Sequence, residues 1–341
     1  MEKILIIRFS SIGDIIQCMS VSGGIKQRFP NAQLHWVTRS DMASLLKIDP
    51  RIDFIWECDR KAGLGQFLTL AFRLRKEGFT HVYDAHSNIR SNILRAIFLC
   101  TFSSCKWVTR YKNRIKRLLL FKFRLNLFPK PFRAFESFQK PLSKWGIQNF
   151  PHLTTNVLFP MQVQNKVKGL LDGFWGDSTN WIVLVPSAAW ELKRWPVEYW
   201  IRLIELLSTY RFVVLGGPSD TFCEEIEKTD PTRVVNLAGK TSLLESFCVV
   251  YNAPYVISGD TGFLHAADLF DKPGAAIIGP TAFGFPTGEK MKVMEVDLPC
   301  RPCTKDGNVK CKLKEYKKCI MDVRPEDVAS VAFDRKASCR C

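Results

Sequence analysis

Short apolar runs of strand length alternate with amphipathic, helix-like stretches along most of the chain. In the first half, Ile4 to Arg8, Gln33 to Thr38, Phe54 to Glu57 and His81 to Asp84 are such runs, separated by helical patterns. The first of those helices is predicted over Asp14 to Arg28, ended by Phe29-Pro30. Trp181 to Val185 opens a second series, continued by Phe212 to Leu215, Val234-Val235, Tyr255 to Ser258 and Gly274 to Ile278. Strand and helix in alternation imply parallel sheets, so the fold class expected is α/β with two doubly wound halves. Phe128 to Pro160, rich in proline and poor in periodicity, is expected to bridge them. The boundaries predicted are 1–160, 161–325 and a short tail, 326–341. No internal repeat is evident beyond the similar layout of the two halves.

In open α/β sheets ligands bind at the carboxyl ends of the strands, so the turns after each apolar run carry the candidate chemistry. The turn Gly259-Asp260-Thr261-Gly262 opens a short helix whose free backbone N–H groups and positive dipole end suit a diphosphate without any metal. Asp260, Thr261 and His265 then either orient a nucleotide or serve as helix caps and packing. A second glycine-bearing turn, Gly279-Pro280-Thr281, ends on the same edge. The loop PSAAWELKRWP carries Ser187, Lys193 and Arg194 ahead of a helix begun by Pro196, and small residues followed by lysine suit phosphate contact. Gly216 to Asp220 is a further turn of this kind, its carboxylate suited to a ribose hydroxyl, and the LAGKTSL loop ends at Leu243. In the first half, RFSSIGD places Asp14 at the mouth of the sheet, as a helix cap or as a working carboxylate. That turn has one glycine where the dinucleotide fingerprint needs three. DAHSNIRSN sets His86, Asn88 and Arg90 beside the same edge.

Composition adds a direction. The 341 residues are 46% hydrophobic and 24% charged, with Lys+Arg 49 against Asp+Glu 33 and a net charge of +16. Such an excess favours anionic partners: nucleic acid, phosphorylated substrates or an acidic membrane face. Lys106 to Arg133 concentrates it, with Trp107, Tyr111, Phe121, Phe123 and Phe128 interleaved. A basic aromatic segment of this type lies on anionic headgroups, grips a phosphorylated acceptor, or is an ordinary helix with a solvated face. No apolar run reaches the roughly 18 residues of a spanning helix, and the start lacks the pattern of a signal peptide, so a cytoplasmic location is expected. Among the 12 cysteines, Cys300, Cys303, Cys311 and Cys319 follow C-x2-C-x7-C-x7-C. In a reducing compartment that spacing suggests a structural zinc or iron site, or reduced and packed thiols. Cys339 and Cys341 are expected to be free.

Several of these pieces together resemble the heptosyltransferases of lipopolysaccharide core assembly, glycosyltransferase family 9. The matching stretches are ILIIRFSSIGDIIQ, YDAHSNIRS, LVPSAAWELKRWP, LGGPSD and SGDTGFLHAADLFDKPGAAIIGPT, with the cysteine run and IMDVRPEDV beyond them. The resemblance implies a GT-B architecture, two Rossmann-like domains facing across a cleft, and inversion at the sugar carbon. It implies an ADP-heptose donor held by the C-terminal domain and an acceptor held by the N-terminal one. Asp14 falls on the family's catalytic base, Lys193 on its phosphate lysine, Asp220 on its ribose carboxylate, and Asp260, Thr261, Gly262 and His265 on its donor turn. Ser187, Gly216 and Leu243 complete the expected donor set; Ser11, Gly13, His86, Arg90, Arg110 and Lys112 are the expected acceptor contacts. The chain departs from the pattern in having Asp220 where better-studied members have glutamate, and Ser187, Ala188 and Ala189 in place of a more hydroxyl-rich loop.

A one-step inverting transfer needs a carboxylate to remove the acceptor proton while a nucleoside diphosphate departs. There is no Asp-x-Asp motif to hold a cation for that departure, so Lys193, Arg194 and the helix start at Thr261-Gly262 are expected to stabilise it, with no cofactor required for catalysis. The function expected is a cytoplasmic, peripheral-membrane enzyme moving heptose onto an inner-core lipopolysaccharide acceptor on the inner membrane. One alternative keeps the donor and takes a protein acceptor, as in autotransporter heptosyltransferases. A zinc-bearing nucleic-acid-binding protein is the alternative of another class; nucleic acid is not expected, because the glycine turns all follow strands and no recognition helix appears.

Overall fold

Runs such as Ile4-Leu5-Ile6-Ile7, in which every residue is fully buried, have no solvated face. Such strands need cover on both sides, which a parallel sheet sandwiched between helices provides. A computed structural model describes residues 1–61, 63–100, 105–150, 157–176 and 180–338. Among the described residues the strands form two sheets, and every strand pairing in them is parallel.

The chain divides into two units. One comprises Met1–Arg114 and Phe135–Phe159, the other Ile115–Ala134 and the chain from Pro160 on. The first holds β1 (Lys3–Ile7), β2 (Gln33–Arg39), β3 (Phe54–Cys58), β4 (His81–Asp84) and β5 (Lys106–Thr109), in the order β3-β2-β1-β4-β5. Alternate side chains of β1 face opposite ways. Leu5 and Ile7 enter a core with Phe67, Leu70, Ala71 and Leu74 of the helix Leu64–Lys76 and with Leu94 and Phe98 of the helix Ile89–Cys100.

The second unit holds β6 (Trp181–Val185), β7 (Arg211–Val214), β8 (Val234–Asn236), β9 (Val256–Gly259), β10 (Gly274–Ile277) and β11 (Met291–Met294), in the order β11-β10-β9-β6-β7-β8. Its core joins Ile182, Leu184, Phe212, Val214 and Ile257 to Trp195, Trp200, Leu203 and Ile204, and to Val328, Ala329 and Ala332 of the helix Pro325–Ser338. In each sheet the chain works outward from a central strand, then returns to build the other side. The turning points lie between β1 and β4 and between β6 and β9, where a crevice opens outside the carboxyl ends.

Two expectations need correction, and a third gains detail. The helix over Asp14 to Arg28 is two helices, Ile12–Met19 and Ser22–Arg28. Ser20 Oγ donates to Gln17 O (2.7 Å) and Ser22 Oγ lies 2.8 Å from Met19 O and 2.5 Å from Asp49 Oδ2, so hydroxyls take up carbonyls that a continuous helix uses itself. Lys106 to Arg133 is not one amphipathic segment: Lys106–Thr109 is a strand on β4, and the helix Arg114–Phe123 follows it. Phe128 to Pro160, expected to bridge the halves, carries structure of its own. Phe128 and Phe132 pack on Phe283 within the second unit, while the helix Ala134–Gln139 and the turns to Trp145 follow it, and Phe138 and Trp145 are buried. Residues 151–156 of that stretch, and Cys339 and Cys341, lie outside the described residues. No helix among the described residues is long and apolar enough to cross a membrane.

Candidate active site

In the first unit, the loop after β1 delivers Asp14 as the third residue of the helix Ile12–Met19, where the positive helix end favours its ionised form. Arg8, the residue just past β1, is buried at 5% exposure and places Nη2 2.5 Å from Asp14 Oδ2. Its Nη1 donates to Ala85 O (2.8 Å), which ties the β1 loop to the β4 loop across the turning point of the sheet. Arg110, just past β5, is also buried; its Nη1 is 3.9 Å from Asp14 Oδ1, and its Nη2 donates to Ser137 Oγ (2.7 Å). Phe138 stacks on the Arg110 guanidinium at 3.6 Å, a weakly hydrated cation on an aromatic face. Ser11 Oγ donates to Asp14 Oδ2 (3.1 Å).

Burial pushes the Asp14 carboxyl up, but Arg8, Arg110 and Ser11 outweigh it and hold the group below its ordinary value. Its side chain keeps 36% exposure, so a substrate hydroxyl can reach it. His86 accepts a hydrogen bond at Nδ1 from Phe9 N (3.3 Å) and is neutral, its pKa pushed down to about 3 by burial and by Arg8 and Lys112. Lys112 donates to Ser87 O (2.9 Å). Of the residues expected here, Asp14, Ser11, His86, Arg110 and Lys112 form one electrostatic cluster, with Gly13 in the same helical turn. Arg90 departs from it, its guanidinium lying against Cys58 Sγ (3.8 Å) and the Phe67 ring (5.8 Å). Arg8 was missed; a lone charge at the end of an otherwise apolar strand is the signal that marks it.

In the second unit, three adjacent strands, β9, β6 and β7, bring their loops together. The β6 loop carries Lys193 and Arg194 in succession, and Arg194 has extended backbone, so neighbouring side chains diverge. Lys193 turns toward the β9 loop, with Nζ 2.9 Å from Asp260 Oδ2, while Arg194 turns toward the β7 loop and meets Asp220 Oδ1 at 3.4 Å. Asp260 also accepts from Thr281 Oγ1 (2.6 Å) and lies 3.8 Å from His265 Nε2. Burial raises its carboxyl, and Lys193, His265 and Thr281 bring it below the ordinary value. Gly284 lies so close beneath that a Cβ there would fall 2.1 Å from Asp260 Cγ. Thr261, and not Asp260, caps the helix Gly262–Leu269, its Oγ1 accepting from Leu264 N.

Asp220 is held by Ser187 Oγ (2.5 Å) and Gly217 N (2.8 Å), so those two expected donor residues form one hydrogen-bonded unit beside Gly216. Leu243 opens the helix Leu243–Asn252 behind a capping box of Ser242 and Glu245. The arrangement suits an anion: at the turning point between β9 and β6 a lysine lies beside a helix start, and an arginine flanks it on the β7 side. The four clustered cysteines are thiols. Burial raises Cys303 and Cys319, and the neighbouring thiols raise them further. Among the described residues, no three His, Cys, Asp or Glu side chains are arranged to hold a metal ion.

Comparison with known proteins decides the class. The model of glycosyltransferase family 9 (heptosyltransferase) matches residues 67–317. The chain belongs to glycosyltransferase family 9. It is 27% identical to lipooligosaccharide heptosyltransferase 2 of Haemophilus influenzae, over 95% of this chain and 96% of that one. Among solved structures, ADP-heptose lps heptosyltransferase II of E. coli superposes with a TM-score of 0.73 at 17% identity, covering 98% of this chain and 99% of that one. A family 9 glycosyl transferase from Veillonella parvula DSM 2008 gives 0.77 at 16% identity, covering 99% and 98%. The expected fold, GT-B with two Rossmann-like domains, is thereby borne out, and the chain is a glycosyltransferase of the heptosyltransferase family.

Proposed function

We propose that this chain transfers heptose from ADP-heptose to an inner-core lipopolysaccharide acceptor, with inversion and without a catalytic metal. The observation that carries the reading is the pairing of chemistry with topology. An accessible carboxylate, Asp14, stands at the turning point of one sheet, and the cation Lys193 stands at that of the other, with Arg194 beside it on the β7 side. The end-to-end similarity to a named lipooligosaccharide heptosyltransferase supports the substrate class.

In this mechanism the acceptor hydroxyl gives its proton to Asp14 as its oxygen attacks the sugar carbon. The leaving ADP gathers negative charge on its diphosphate, which Lys193 and the N–H groups at Thr261-Gly262 offset. Asp220, held by Ser187 and Arg194, offers its carboxylate to the ribose. Arg110 and Lys112 meet the acidic acceptor beside Asp14. His86, being neutral, contributes a hydrogen bond there and no charge.

The enzyme works on the cytoplasmic face of the inner membrane. The helix Arg114–Phe123 supports this: Leu120 is buried and Phe121 and Arg117 pack on Phe283, while Ile115 (69% exposed), Leu118 and Phe123 point to solvent among Arg114, Lys116 and Lys122. An apolar stripe edged with cations matches an anionic lipid surface. The cysteine cluster has the ligand chemistry of a structural metal, but its four thiols do not converge on one point, so no step of the reaction is assigned to it. The test is turnover of ADP-heptose with a Kdo-lipid A acceptor, in parallel with UDP- and GDP-sugars and with EDTA. Selective, EDTA-resistant use of ADP-heptose with an inverted anomeric product is the expected result. Preference for another nucleotide or loss of activity in EDTA would overturn it.

A further inference from the structure

The segment that bears the cysteines closes over the lysine of the donor site. Thr281, which holds Asp260, pairs with Thr304 in a parallel bridge, and Cys303 N and Thr304 N both donate to Pro280 O (3.0 and 3.3 Å). Thr304 Oγ1 accepts from Gly307 N (3.1 Å), shaping a turn in which Gly307 adopts φ +95°. That turn seats Gly307 directly against Lys193: a Cβ at 307 would stand 2.9 Å from Lys193 Cγ, 3.0 Å from Cδ and 3.1 Å from Trp190 Cβ. Farther on, the Tyr316 hydroxyl donates to Glu191 and Lys317 Nζ lies 3.0 Å from Glu191 Oε1. Glu191 and Lys193 share one short helical turn, Glu191–Lys193. The contacts form a closed circuit from Asp260 through Thr281, Thr304 and Gly307 to Lys193 and back to Asp260.

We propose that Cys303–Lys317 is a positioning element of the diphosphate site, with Gly307 and Tyr316 as the residues that fix Lys193. A lysine side chain has four rotatable bonds, and an ammonium free to swing gives up that freedom when it meets phosphate. Here the Gly307 turn lies alongside the methylenes with no room for a larger residue between them, and Asp260 holds the ammonium, so the chain is ordered before ligand arrives and binding costs less. Only glycine suits position 307, both for its backbone conformation and for lack of room. The inference rests on Lys193 meeting the donor diphosphate and adds what holds it there.

The experiment is calorimetric binding of ADP and of adenosine to the full chain, for wild type, Lys193→Ala, Gly307→Ala, the double variant, and Tyr316→Phe with Lys317→Met. A misplaced lysine forfeits a charge-assisted bond, so Gly307→Ala is expected to weaken ADP roughly tenfold and leave adenosine unchanged. In the Lys193→Ala background the Gly307 substitution should change nothing further. The Tyr316/Lys317 variant, which removes an exposed hydroxyl and the ammonium that meet Glu191 and replaces no residue of the apolar core, should show a smaller loss of the same diphosphate-specific kind. Equal weakening of ADP and adenosine, or additive effects in the double variant, would mean a merely structural role and overturn the proposal. If Lys193→Ala weakens ADP while neither Gly307→Ala nor the Tyr316/Lys317 variant does, the positioning role falls and the lysine's role stands; if Lys193→Ala has no effect, both fall.

Discussion

Lys193→Ala tests the centre of the second unit through stability as well as ligand binding. The side chains of Lys193 and Asp260 are 14% and 9% exposed, with their charges 2.9 Å apart, so solvent screens the pair little. Removing one partner of a buried pair costs about 3–5 kcal/mol, chiefly because the other charge is left uncompensated. Asp260 would retain the Thr281 hydroxyl at 2.6 Å and His265 at 3.8 Å, which places the expected loss near the lower end, about 3 kcal/mol. With a urea dependence of roughly 3 kcal/mol per molar for a unit of this size, the midpoint should fall by about 1 M. Trp195 and Trp200, buried in the core of this unit, report the transition by fluorescence. The pH dependence carries a sign. The Asp260 carboxyl is depressed on folding, so the pair's stabilisation is complete above the ordinary carboxylate value of 3.8 and is lost as pH falls through the folded value. The gap between wild type and variant should therefore be full at pH 7 and shrink in acid. A gap at pH 7 under about 0.5 kcal/mol, the scale of an exposed pair, would refute the reasoning, as would a gap that widens on acidification.

Asp14→Asn should lower kcat by about 10² to 10⁴, the usual worth of a positioned base, with ADP affinity unchanged in a direct binding measurement. Arg8→Met removes the cation nearest Asp14, so the acid limb of kcat/KM should move to higher pH; a limb that stays in place would remove Arg8 from control of the carboxylate. Replacing Ile115, Leu118 and Phe123 by serine should reduce co-sedimentation with vesicles containing anionic lipid without altering turnover of a soluble, delipidated acceptor. Unchanged co-sedimentation would relocate the lipid contact elsewhere.

The sheets were legible because buried parallel strands are continuous apolar runs, and Trp181–Val185 and His81–Asp84 have the same limits in sequence and structure. Site positions followed from the sheets, since Asp14, Asp220 and Asp260 each stand in the loop or first helical turn after a strand's carboxyl end. What escaped was pairing. That Lys193 meets Asp260 while Arg194 meets Asp220 depends on β6 lying between β9 and β7, and strand order across a return crossing is not written in local periodicity. The split at Ser20 escaped because serine is tolerated within helices, and the bonds of the Ser20 and Ser22 hydroxyls to nearby carbonyls are visible only in three dimensions. Gly307 and Gly284 gave no signal at all: their significance is the absence of room, which needs the neighbour's coordinates.

The electrostatics around Asp14 bear on where the barrier is lowered in the proposed reaction. Two buried arginines and a helix start keep the carboxylate ionised, so it is always available as an acceptor of the proton, but the same stabilisation makes it a weaker base. A weak base takes the proton late, when the new bond to the sugar is largely formed and the hydroxyl has become acidic. Departure of the diphosphate must then run ahead of proton transfer, and stabilisation of the leaving group bears most of the burden. That places the demand for rigidity on Lys193, which is where the second unit concentrates its constraints: Asp260 on the ammonium and Gly307 on the methylenes.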